Sequence, residues 1–64
     1  MWLIIDAPHF YAAAEIDPAG VVSRAAPIIG YLRGKPVSHV RSYVQRKGWL
    51  LTLFYADGSQ EFAP

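Results

Sequence analysis

Apolar residues follow two rhythms along this chain. Over residues 2–16 the rhythm is that of a strand. Trp2-Leu3-Ile4-Ile5 is a β-prone apolar run. Phe10, Ala12, Ala14 and Ile16 then recur at every second position, which points them to one side of a sheet. Pro8 cannot donate to a ladder, so the segment is expected to be a strand at an edge, or two strands joined by a kink at Pro8. Ala12, Ala13 and Ala14 have helical propensity. The tetrapeptide Asp17-Pro18-Ala19-Gly20 overrides it, with Asp, Pro and Gly at the first, second and fourth positions of a type I turn. Gly20 is placed to close a hairpin with a bulge, and residues 21–24 form the return strand.

The rhythm then changes to that of helices. Pro27 opens a short helix over residues 27–33, because a first-turn residue needs no N–H. Ile28, Ile29, Tyr31 and Leu32 supply its apolar content, and Gly34 ends it. Pro36 opens a second helix over 36–47, in which Val37, Val40 and Val44 make one core-facing stripe. Ser38, Arg41, Ser42 and Gln45 lie on the other side. Arg46-Lys47-Gly48-Trp49 reads as the end of that helix. Gly48 takes the left-handed cap position and Trp49 returns to Val44, as in a Schellman ending. Arg46 and Lys47 complement the helix dipole.

Residues 49–55 are apolar at nearly every position, so this strand is expected at the centre of the sheet or at a subunit interface. Asp57-Gly58 is the preferred two-residue hairpin turn, residues 59–62 return along it, and Pro64 closes the chain. The predicted order is β-β-α-α-β-β. This is an α+β fold: an antiparallel sheet of two hairpins, with two short helices packed on one face. The aromatic residues are expected mostly in the core, with Tyr31 and Tyr43 nearest the surface.

Sixty-four residues make a single domain, residues 1–64. A chain this short buries only about 60% of the surface its unfolded form exposes. It contains no Cys, so neither disulfides nor thiolate metal sites support it, which fits a reducing compartment. Its apolar fraction is 53%, above the usual ~45–50%. That surplus predicts burial between subunits, and hence a homodimer. No apolar run approaches the ~20 residues of a membrane span. The opening apolar run is too short for a secretion signal and has no basic residue before it. The expectation is a soluble cytoplasmic protein with no membrane partner.

Net charge is +1, but its distribution is uneven. Every base (Arg24, Arg33, Lys35, Arg41, Arg46, Lys47) lies between residues 24 and 47, and no acid lies between 18 and 56. Such segregation fits either a footprint for an anionic partner or contacts between acidic strands and basic helices of the same protein.

Candidate chemistry is sparse. Gly30-x-x-x-Gly34-Lys35 lacks the earlier Gly and the following Ser or Thr of a phosphate loop. No Ser sits in a strand-to-helix elbow. Asp6 and His9 on a kinked strand do not make a metal-ligand spacing. The chain is therefore expected to be no enzyme and to need no metal or cofactor. The helix over 36–47 carries Ser38, His39, Arg41, Ser42, Gln45 and Arg46, which can reach phosphates or base edges. Its pairing with a short first helix has the outline of a helix-turn-helix, though that motif usually belongs to all-helical bundles. Exposed Tyr beside Arg suits a protein hot spot, and also stacking on single-stranded bases.

Ala7-Pro8-His9-Phe10, the run at 25–35 and the run at 40–49 resemble a group of small uncharacterised proteins encoded by bacteriophages and prophages. The group shares a Pro-His-Phe strand, an Ala-Ala-Pro-Ile helix start and a Tyr-x-x-x-Lys-Gly-Trp helix end. Pro8, His9, Phe10, Ala26, Pro27, Ile28, Tyr43, Lys47, Gly48 and Trp49 match, while Ala13 stands where the group has Gly. The resemblance implies an accessory role in the cytoplasm of a bacterial host. With the charge map it leads to a non-enzymatic protein that binds a host or phage macromolecule through a basic helical surface. The expected contact residues are Arg33, Lys35, Arg41, Tyr43, Gln45 and Arg46. The alternative is a nucleic-acid-binding regulator using the helix over 36–47.

Overall fold

A computed structural model describes residues 1–63 of the chain. Five strands form one antiparallel sheet: β1 (Trp2–Ala7), β2 (Phe10–Ile16), β3 (Val22–Ala25), β4 (Leu50–Phe54) and β5 (Gln60–Ala63). Their spatial order is β3-β2-β1-β4-β5. Between β3 and β4 the chain crosses one face of the sheet as a 3-10 helix (Pro27–Leu32) and an α-helix, α1 (Val37–Lys47). The α+β class and the antiparallel sheet agree with the sequence reading. The layout does not: three strands precede the helices, so a three-stranded meander and one hairpin replace two hairpins.

The difference lies at Pro8. It is not a kink but the first central residue of a tight turn, with Ala7 paired to Phe10 across it. Proline fixes φ near −65°, which suits that position. Among the described residues none other than Gly has positive φ, so His9 stays negative and the turn is neither type II nor a primed type. Two-residue hairpins usually use turns with positive φ and the Gly or Asn that goes with it. This one has neither, so its sequence signal is weak.

Asp17 to Gly20 forms the expected turn. The Gly20 amide donates to the Asp17 carbonyl at 2.9 Å, and the Asp17 carboxylate accepts from the amides of Ala19 and Val21. The β4–β5 turn corrects the other expectation. Tyr55 pairs with Ser59, so the loop holds three residues, Ala56, Asp57 and Gly58, rather than two. Asp57 keeps negative φ and only Gly58 is left-handed, at 91°. Pro64, expected to close the chain, lies outside the described residues.

The first helix is 3-10 rather than α, with a kink at Ile29. Its three-residue repeat stacks Ile29 and Leu32 on the buried side, leaving Ile28 and Tyr31 outside. The connection after it runs along the free edge of β3, where the Val22 amide donates to Lys35 and the Gly34 amide to Val22. The end of α1 matches the Schellman pattern. Gly48 is left-handed at 73°, its amide donates to Gln45, and the Trp49 amide donates to Val44. No helix among the described residues is long and apolar enough to cross a membrane.

One core fills the space between sheet and helices. Leu3, Ile5, Ala12, Ala14, Ile16, Val22, Leu51 and Leu53 rise from the sheet to meet Ile29, Leu32, Val40 and Val44. The alternation within Ala12–Ala14 is that of a strand, with Ala13 facing out. Among the described residues no aromatic side chain lies in the buried core, which corrects the expectation that most would. Phe10, Tyr43 and Trp49 pack at its rim, and Trp2, Tyr11, Tyr31, Tyr55 and Phe62 are exposed.

Candidate macromolecule-binding surface

The helical layer brings five rings into a chain of edge-to-face contacts. Tyr31 meets Tyr43 with centroids 5.6 Å apart, Tyr43 meets Trp49 at 5.7 Å, and Trp49 meets Phe10 at 5.1 Å and His9 at 5.7 Å. These are favourable separations for perpendicular rings. Their placement follows from local structure. The 3-10 repeat turns Tyr31 outward, the Schellman ending folds Trp49 back on α1, and the Pro8 turn delivers His9 and Phe10 to the same end.

Tyr31 and Tyr43 share a hydrogen bond of 2.8 Å between their hydroxyls. Tyr31 is 53% exposed. Desolvation, together with the Tyr43 hydroxyl, pushes the Tyr31 phenol up to about 12. The guanidinium of Arg46 and the ammonium of Lys47 lie 6.0 and 5.8 Å from the centre of the Tyr43 ring. This is the outer range of a cation–π contact. The ridge thus presents an aromatic edge beside positive charge.

The six residues expected to make contact do not form one patch. Arg33 and Lys35 are exposed in and beside the connection between the helices. Gln45 and Arg46 are exposed near the end of α1. Tyr43 leans toward Tyr31 and Trp49 on one shoulder of α1, while Arg41 leans toward β5 on the other.

Arg41 has an intramolecular partner. Its Nη1 donates to Glu61 at 3.1 Å, and Glu61 also accepts from the Tyr55 hydroxyl at 2.6 Å. The hydrogen bonds from Tyr55 and Arg41 hold the Glu61 carboxyl below its ordinary range, and the Tyr55 phenol is raised in return. The triad ties β5 and its turn to α1. Sequence pattern could not have found it, because Arg41 and Glu61 stand 20 positions apart in different elements.

Apart from Arg41, the bases of the helical layer make no ion pair among the described residues. Among the described residues only Arg24–Glu15 and Arg41–Glu61 approach within 4.0 Å. Arg33, Lys35, Arg46 and Lys47 are exposed, with no carboxylate of another described residue within 4.0 Å. The remaining acids lie elsewhere: Asp6 and Glu15 on the other face of the sheet, Asp17 and Asp57 in hairpin turns. The open sheet face also carries Arg24, 4.0 Å from Glu15.

A second surface escaped sequence reasoning. The sheet face turned away from the helices presents Trp2, Tyr11, Leu50 and Phe62, all exposed, around Ile4. Alternation in β2 marks Phe10, Ala12, Ala14 and Ile16 as one side, but Trp2–Ile5 and residues 49–55 are apolar on both, so the pattern does not mark the exposed apolar face. Among the described residues no three His, Cys, Asp or Glu side chains come together.

Comparison with protein-family models, with curated proteins and with solved structures returns no match.

Proposed function

We propose that the chain is a small non-enzymatic binding protein whose helical layer docks on an acidic surface of a host or phage protein. Its role is that of a phage accessory factor in the bacterial cytoplasm, modulating or inhibiting a host machine or defence system. The phage assignment rests on the motif resemblance at residues 7–10, 25–35 and 40–49. The observation that carries the docking surface is four exposed cations on the layer of the half-exposed Tyr31 ring, none of them within 4.0 Å of a carboxylate of the described residues. Tyr and Arg are the residues on which interface energy concentrates, and unpaired charge on one side speeds encounter with a partner of opposite sign. Arg33, Lys35, Tyr43, Gln45 and Arg46 remain the contact set, joined by Tyr31. Arg41 belongs to the tie with β5.

Affinity capture from a bacterial lysate tests this. The wild-type chain should retain a defined partner, and the Arg33→Glu/Arg46→Glu variant should lose it while keeping its far-ultraviolet circular dichroism. Retention of the same partner by the variant refutes the surface.

The same cations favour nucleic acid as the second reading, with Tyr31 as a stacking platform. Four phosphate contacts would give a log–log salt slope of about −3.6 on duplex and about −2.8 on single strands. No binding to either at low ionic strength eliminates this reading.

A further inference from the structure

We propose that the open face of the sheet is the contact between two copies of this chain. This goes beyond the docking role of the helical layer and does not depend on it.

The face is built in three rows. Strand register aligns Tyr11–Asp6–Leu50, then Ala13–Ile4–Thr52–Phe62, then Arg24–Glu15–Trp2–Phe54–Gln60, with Arg24 4.0 Å from the Glu15 carboxylate. The middle row is almost wholly apolar. Phe62 is 74% exposed and Tyr11 70%, so each stands proud of the sheet and takes almost no part in the monomer's core. Between them lies an open depression of about 490 Å³ over Ile4 and Thr52. The two outer rows carry the polar groups.

Size favours a second copy. The sheet spans a broad face of a body measuring 28 × 22 × 17 Å. Such a face is roughly a fifth of the 4019 Å² accessible surface, about 800 Å² per copy, which is what one side of a standard stable interface contributes.

Polar complementarity favours it too, because a two-fold interface must contain its own complement. Among the described residues the Asp6, Trp2 and Tyr11 side chains make no hydrogen bond within the chain. A two-fold axis along the strands would set Asp6 against Asp6. An axis across the strands sets the Asp6 row against the Trp2 row. There the indole N–H and the Tyr11 hydroxyl can donate to the Asp6 and Glu15 carboxylates of the other copy, and Ile4 and Phe62 close over their counterparts. The second arrangement leaves no like charges facing, and it makes the pairing antiparallel.

Sedimentation equilibrium tests the proposal. The wild-type chain should sediment at twice its 7.1 kDa monomer mass. Phe62→Glu should sediment as a folded monomer, with dimerisation weakened at least about 100-fold, since each interface then buries two unpaired carboxylates. Tyr11→Glu, on the same face but three strands away on β2, repeats the test should Phe62→Glu fail to fold. Arg33→Glu/Arg46→Glu should remain dimeric, which separates this proposal from the docking role of the helices. A wild-type monomer, a higher oligomer, or a dimer undisturbed in whichever of the two face variants folds would overturn it.

Discussion

At the scale of single residues, Gly48 and Tyr31 make opposite demands on the chain. Gly48 is left-handed with open space where a Cβ would go, so the cost of a side chain is backbone strain alone. Gly48→Ala should lower stability by about 1–2 kcal/mol. Gly30 has equal space and no positive φ, so Gly30→Ala should leave stability unchanged or slightly higher. Urea unfolding of the two variants measures the contrast. Tyr31 responds to pH. Its folded value is raised from 10.0, so the stability it lends is complete below that value and fades as pH rises toward about 12. A near-ultraviolet titration of Tyr43→Phe should find Tyr31 ionising at lower pH than in the wild type.

At the scale of elements, the link between α1 and β5 depends on a carboxylate. Glu61 is depressed below 4.5 by the Tyr55 and Arg41 hydrogen bonds. A depressed acid gives its stability above the unfolded value and loses it as pH falls through the folded one. Amides of β5 should therefore exchange faster as pH drops below 4.5, after correction for intrinsic rates. In Glu61→Gln this pH response should shrink. Elements were legible where one residue type fits one conformation. Gly20 and Gly58 marked their hairpins, though Gly58 closes a three-residue loop because Asp57 resists positive φ. The end of α1 was legible because capping fixes Val44, Gly48 and Trp49 together. The Pro8 turn was not, because Pro8 and His9 reverse the chain with no residue at positive φ. The 3-10 geometry was not, because Ile29 and Leu32 fit a core-facing side in either helix type.

At the scale of the molecule, the sheet divides two surfaces of different character. One layer carries Arg33, Lys35, Arg46 and Lys47 with the aromatic ridge; the other face is apolar at its centre, with Asp6 and the Arg24–Glu15 pair at its rim. The cationic middle of the chain was visible as a run without acids, and its gathering on one layer follows from the crossover between β3 and β4. The aromatic surface was not visible. Strands such as 49–55 are apolar on both sides, and only packing decides that Leu51 and Leu53 go inside while Leu50 stays out. Nor could sequence show that Arg41 is tied to Glu61, while Arg33 and Lys35 make no ion pair among the described residues.

The claim that the helical layer is the docking face is tested most directly by nuclear magnetic resonance. The ¹⁵N-labelled chain is titrated with soluble poly-glutamate at low ionic strength. Amides around Tyr31, Arg33, Lys35, Arg46 and Lys47 should shift together, and those of β1 and β4 should stay in place. Shifts confined to the strands, or no shift at all, would contradict the account.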